Sequence, residues 1–229
     1  MLKYDFHIHS LLSPCGDREM TPNNIVNMSK ILGLDMIAIS DHNTIGNARA
    51  VMEAGERAGL RVLPGMEVTT EEEVHILTLY PDIESAEQAA KEVYESLPYI
   101  KNKPEIFGEQ LYMDKDDNVT GIEEKLLISA VGMSINRLFD VVRNVGGVFI
   151  PAHVDKHSNS VLTNLGFIPD DLDIKFVEIS KRVTDVSLYL EQRPDLKKYR
   201  ILRSSDSHFL DSLVTEPDTL DFDIKNLFI

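Results

Sequence analysis

A chain of 229 residues with 43% hydrophobic and 27% charged side chains has the make-up of a globular protein with a sizeable core. Its 23 basic and 38 acidic side chains give a formal charge of −15, which weighs against binding along an extended phosphate backbone, so no long nucleic acid is expected as a partner. The single cysteine excludes an intramolecular disulfide and, with no apolar run of bilayer length and no signal-like start, points to a cytoplasmic protein without a membrane partner.

In chain order, Lys3–His9 reads as a strand. Alternate residues of a strand share a face, so His7 and His9 are expected on one side and Phe6 and Ile8 on the other. Thr21-Pro22 caps and opens a helix that runs to about Leu32 and stops at Gly33. Asp35–Ser40 is a buried strand, Ile45–Ala58 a helix closed by Gly59, and Arg61–Glu67 a third strand. Thr69–Glu73 reads as a turn into a return strand, Val74–Tyr80, followed by a helix over Glu84–Leu97. The pattern loosens over 101–132, where a polar turn at Asp114–Asn118 and a helical run at Glu123–Ala130 suggest an insertion or a lid. Beyond it come the helix Ser134–Val145 and the strand Gly147–His153. The strands Lys175–Ser180 and Tyr199–Ser204 follow, with a helix at Asp185–Glu191 between them. Alternating strands and helices predict an α/β fold with a parallel sheet, in one domain over 1–229.

The polar punctuation of these strands carries the chemistry. Five strand ends bear His, Asp or Glu: His7 and His9, Asp41-His42, Glu67, His153, and Asp206 with His208. His75 begins its run, and a hairpin return after Glu67 brings it to the same end. Six of the seven histidines are absorbed in this way, leaving His157 in a loop. Ligand-type residues gathered at one end of a sheet point to a polynuclear metal site. Imidazole with carboxylate, and no thiolate cluster, suits Zn²⁺, Mn²⁺ or Fe²⁺. So many imidazoles are too many for one ion with an open position, and two or three divalent ions are expected.

Read in order, His7-Ile8-His9, Asp41-His42, Glu67, His75, Ala152-His153 and Asp206-Ser207-His208 resemble the PHP (polymerase and histidinol phosphatase) superfamily. The resemblance implies a TIM-like, distorted (β/α)7 barrel with a trinuclear metal centre at the carboxyl ends of the strands. It implies that His7, His9, Glu67 and Asp206 hold one ion, that Glu67 bridges to a second completed by His75 and His153, and that His42 and His208 hold the third. A further third-site ligand is expected soon after the first motif, where Cys15, Asp17 or neither serves.

The expected activity is metal-dependent hydrolysis of a phosphoric ester by a hydroxide bridging two ions, with Glu67, Asp206 and His208 as catalytic residues. The expected substrate is a small phosphorylated metabolite, such as histidinol phosphate or a nucleotide-like phosphomonoester. Arg137, Lys156, Lys181 and Arg182 are candidate phosphate contacts. Glu178 is expected as a hydrogen-bond partner rather than a ligand, and Asp41 as the group that orients His42. Two rival readings are a noncatalytic metal-binding module acting through a protein partner and an amidohydrolase-type C–N hydrolase.

Overall fold

The computed structural model, which describes residues 1–213 and 216–228, is a mixed α/β fold built on a curled sheet. The first half comprises β1 (Leu2–Ile8), α1 (Pro22–Ile31), β2 (Met36–Ile39), α2 (Ala48–Ala58), β3 (Arg61–Thr69), β4 (His75–Leu79) and α3 (Ile83–Ser96). A short helix α4 (Pro104–Phe107) and a hairpin of β5 (Leu111–Met113) and β6 (Val119–Ile122) come next. The remainder is α5 (Ile135–Asn144), β7 (Val148–Pro151), α6 (Val161–Asn164), β8 (Phe176–Glu178), α7 (Val186–Gln192), β9 (Arg200–Leu202) and β10 (Asp218–Leu220). Among the described residues, no helix is long and apolar enough to cross a membrane.

The six-stranded sheet runs β10-β1-β2-β3-β4-β7, and β8 pairs in parallel with β9 in a separate two-stranded sheet. The main sheet is mixed rather than wholly parallel: β10 is antiparallel to β1 and β4 to β7, and β4 makes the expected hairpin return antiparallel to β3. The cause is the turn Thr70–Glu73, closed by Glu73 N–H to Thr70 O at 2.9 Å. A parallel crossover needs about a dozen residues or more, so a turn this short forces the chain back on itself. The interior cluster takes Phe6, Ala38, Leu63, Leu77, Ile150 and Phe176, so strands of both sheets wrap the same core in a half-barrel curl.

A register shift sits between Asp5 and Ile8, where β1 has one residue more than the facing stretch of β2. This changes the expected facing. Phe6 packs in the interior cluster, whereas Ile8 packs with Ile37 and Ile39 against the helices. The extra residue lets Phe6 fill the core and still turns His7 and His9 to the mouth of the curl.

The run Glu123–Ala130 is not helical. Gln110 competes for its backbone: Nε2 donates to Glu123 O (2.9 Å) and Lys125 O (2.7 Å), while Oε1 accepts from Leu127 N–H (2.9 Å). The same insertion is seated on the loop after β1. Gly108 has φ +100°, and a Cβ there would collide with the carbonyl oxygen of Pro14. Gly108→Ala is therefore expected to cost about 2 kcal/mol or more, read as a lowered urea midpoint at unchanged slope.

Candidate metal centre

Each strand end delivers its side chain to one basin. The bulge in β1 presents His7 and His9, and the segment after β2 presents His42, bridged to Glu67 of β3. The antiparallel pairing Thr69↔His75 brings the start of β4 to the end of β3. His153 follows β7, and a parallel bridge from Ile8 to Ser207 brings Asp206 and His208 beside the first motif.

Glu67 is the hub. Its Oε1 lies 2.8 Å from His75 Nδ1, 2.9 Å from His153 Nε2 and 3.3 Å from His7 Nε2. Its Oε2 lies 3.2 Å from His42 Nδ1 and 3.5 Å from His9 Nε2. Asp206 Oδ1 stands 3.4 Å from His9 Nε2 and 3.5 Å from His7 Nε2, while Lys156 Nζ bonds to Oδ2. Among the described residues, three groups have ligand atoms mutually within 4.8 Å: His7, His9, Glu67 and Asp206; His42, Glu67 and His75; and His9, His42 and His208. His9 thus belongs to two of them. His153 meets Glu67 but stands outside these groups, as do Cys15 and Asp17.

The donor chemistry fits divalent cations. His7 Nε2, His9 Nε2 and His42 Nδ1 are buried without a hydrogen-bond partner, yet all three face carboxylate oxygens. Ligands ~2.1 Å from a shared ion at tetrahedral or octahedral angles stand ~3.0–3.4 Å apart, close to the separations seen around Glu67. Unpaired nitrogens at such spacing are costly as core material and well placed as ligands.

The hydrogen bonds behind the rings settle their tautomers. Glu178 accepts from His7 Nδ1 at 3.0 Å and from His153 N–H at 3.0 Å, leaving His7 Nε2 bare toward the basin. Ser13 Oγ–H donates to Asp41 Oδ1 (2.7 Å), so toward His9 Nδ1 (3.0 Å) it can only accept. His9 Nε2 is then the bare nitrogen. Asp41 was expected to orient His42. Instead its carboxylate takes Ser10 N–H, Ser10 Oγ–H and Ser13 Oγ–H, and it reaches His42 only through Ser13, whose Oγ accepts the His42 N–H at 3.1 Å. Ser10, Ser13 and Asn159, which meets His75 Nε2 at 3.0 Å, were missed by sequence reasoning.

Burial holds His9 down at about 3, helped by nearby His208, and holds His42 well below the usual imidazole range. Burial opposes ionisation of Glu67, but His75, His7, His153 and His42 keep it well below the normal carboxylate value. For His7 burial works against the proton, and Glu178, Glu67 and Asp206 overcome it. A cation bound among those carboxylates exchanges with that proton.

The expected phosphate contacts divide. Lys156 meets the cluster through Asp206. Arg137 instead pairs with Glu92 across α5 and α3 at 2.6 Å, both side chains well exposed. Lys181 pairs with Asp218 of β10, and Arg182 is exposed with its backbone N–H on Ser180 Oγ. Sequence places a charge near a strand end but not its reach, and Arg137 and Lys181 are spent on other acids. Asp17 uses its carboxylate on Glu19 N–H (2.8 Å). Without ions the Cys15 thiol is pushed up to about 12 by desolvation and by the carboxylates Glu67, Asp41 and Asp206. His157 lies exposed in its loop.

A family model described as the PHP domain matches residues 5–171. A 5'-3' exoribonuclease of Haemophilus influenzae is 31% identical over 80 residues, 34% of this chain and 28% of its own length. A phosphoribosyl 1,2-cyclic phosphate 1,2-diphosphodiesterase of Eggerthella lenta is 32% identical over 80 residues, 33% of this chain and 29% of its own. The chain spans about half or less of the length of the curated relatives it matches. Among solved structures, the lesion-specific endonuclease EndoQ of Pyrococcus furiosus superposes with a TM-score of 0.69 at 16% identity, over 92% of this chain and 49% of that one. Endonuclease Q has also been crystallised with a 27-mer duplex carrying an abasic lesion at its active site. These matches overturn the expectation, drawn from net charge, that long nucleic acid is excluded. Net charge sums the whole surface and does not describe the local field at one cleft.

Proposed function

The chain belongs to the PHP family, and on that footing we propose that it is a metal-dependent phosphoesterase acting on nucleotide-type phosphate esters, nucleic acid included. The observation that carries this is the convergence of five imidazoles on the two oxygens of Glu67. In this reading His7, His9, Glu67 and Asp206 hold one divalent ion, and Glu67, with His75 and His153, holds a second. His42 and His208 hold a third, with His9 beside them. Bound cations supply Lewis acidity, lowering the pKa of water from ~15.7 toward ~7 and neutralising phosphoryl oxygens.

The protein's own groups position and balance charge. Lys156 sits at Asp206 and is placed to take up negative charge on the phosphate. His208 Nδ1 donates to the Asp206 carbonyl at 2.9 Å, fixing its proton there and leaving Nε2 toward the basin. The β8–β9 pair and the Ile8–Ser207 bridge support reading the curl as a distorted (β/α)7 barrel within one domain.

The test is hydrolysis by protein loaded with Mn²⁺, Zn²⁺ or Fe²⁺, with metal analysis alongside. The panel is single-stranded RNA, duplex DNA with an abasic site, nucleoside bisphosphates and histidinol phosphate. Cleavage of a nucleotide ester that EDTA abolishes supports the reading; two or more bound ions with no ester cleaved ends it. Ser13→Ala is expected to weaken metal binding about 10–100-fold, by freeing the His9 ring and removing one of the two hydrogen bonds to Asp41 Oδ1. Chelator competition on protein with an unchanged circular dichroism spectrum reads this out.

A further inference from the structure

Resting on the phosphoesterase reading, we propose that the mouth of the metal centre carries a base-stacking platform for single-stranded nucleic acid, made by the rings of Phe209 and Phe107 on either side of the loop Pro14–Arg18. Phe209 directly follows His208 and is 52% exposed; Phe107 is 37% exposed. Backbone contacts fix both to the rim. Asp17 N–H donates to His208 O at 2.9 Å, holding one flank of the loop beside Phe209. Gly108, next to Phe107, is packed on the Pro14 carbonyl, and Leu111 N–H reaches Leu11 O at 3.4 Å on the other flank.

Neither ring is an idle end of a flexible chain. Phe209 N–H donates to Ser212 Oγ (3.3 Å), and Phe209 O accepts from Ser207 Oγ (2.7 Å) and Ser212 Oγ (2.8 Å), so its backbone is pinned on both sides. Phe107 N–H is tied to Lys103 O in α4 at 3.0 Å. Exposed rings on an anchored backbone offer stacking area with only two side-chain torsions to order. The same insertion adds exposed Tyr99 and Ile106 with the cations Lys101 and Lys103. Arg18, 80% exposed, crosses the loop to Glu109 at 3.0 Å. An ion pair so open to water is held weakly, and its guanidinium can turn to a phosphate. Lys101, Lys103 and Arg18 share this rim with the exposed acids Glu105, Glu109 and Asp211, so the rings, beside a centre whose substrate ends in a phosphate ester, carry the contact through bases rather than phosphates.

The probe is a fluorescein-labelled oligothymidylate compared with an oligomer of equal length in which every base is replaced by a tetrahydrofuran abasic unit, on metal-loaded full chain. Wild type should bind the base-bearing strand about tenfold or more tighter, since each stacked base contributes roughly that factor. Phe209→Ala and Phe107→Ala should each cut that preference severalfold, with affinity for the abasic strand unchanged and Phe209→Tyr restoring it. Equal affinity of wild type for both strands overturns the platform, as does an equal loss for both in the alanine variants. A concentration-dependent dimer mass in sedimentation that Phe107→Ala abolishes would assign the rim to a second copy instead. Failure to cleave any ester strikes the phosphoesterase reading alone, because this preference is measured by binding.

Discussion

Glu67→Gln is expected to leave a folded chain that loses at least one equivalent of bound metal and about 10³-fold or more in kcat on any phosphate ester the wild type cleaves. The substitution keeps volume and shape, so the 1%-exposed position can be filled without a cavity. What changes is charge and donor sense. A carboxylate offers two acceptor oxygens to the five surrounding imidazoles; a carboxamide offers one and turns an NH₂ group toward the rest. Those nitrogens include three that are already buried without a hydrogen-bond partner. Nor can an amide link two cations with negative charge on both oxygens. Glu73→Gln, in the β3–β4 turn, is the control and should change neither quantity. Full metal content and rate in Glu67→Gln would remove the hub from the account.

The same contrast, side chain against backbone, marks what could be read without coordinates. His7, His9, His42, Glu67, His153, Asp206 and His208 were legible because strand ends meet at one face, and His75 because a hairpin reverses direction. The bulge in β1 was not legible: a one-residue slip is set by how β2 packs, and Phe6 and Ile8 look alike in the pattern. The serine network under His9 was equally hidden, since Ser10 and Ser13 become partners only when Asp41 arrives from the end of β2. The insertion lost its expected helix to Gln110, a single side chain supplying three hydrogen bonds that local propensity does not see. Long cations were the least legible, because the reach of Arg137 and Lys181 is decided by the nearest acid.

Backbone strain follows the same geography. Of six non-glycine residues with positive φ among the described residues, Asn43, His153, Asn159 and Asp206 lie in or beside the segments that line the basin. Such conformations cost of order 1–3 kcal/mol each and persist where the surroundings over-determine them. His153, at φ 30°, is held by Glu178 through its N–H, and Asp206, at φ 53°, by the ladder bonds of Ser207 to His7 and His9. The strained turns point acid and imidazole inward where relaxed ones would point them at solvent, and cations that tie these groups together would help to hold them so.

Stripping the ions with EDTA is accordingly expected to lower the melting temperature sharply, because each site filled at 1,000 times its Kd adds about 4 kcal/mol to the folded state. Stripped protein should also become acid-sensitive, with a sign that can be worked out. Folded His9 titrates at about 3 and folded His42 well below its usual range, whereas unfolded imidazole titrates near ~6.5. As pH falls below about 6.5 the unfolded chain takes up protons that the folded chain refuses, so stability drops. Glu67 and Asp206, both held low, extend the loss below about pH 4.5 by the same rule, since their stabilisation vanishes as they protonate. His7 runs the other way, but its raised value acts above about pH 6.5, where its contribution fades as pH rises through that value. Differential scanning calorimetry of EDTA-treated protein from pH 7.5 to 5 measures the slope, and re-adding Mn²⁺ at pH 7.5 should restore the melting temperature. A stripped protein as stable as the loaded one, with no acid slope, would mean that these imidazoles and carboxylates are not organised around ions.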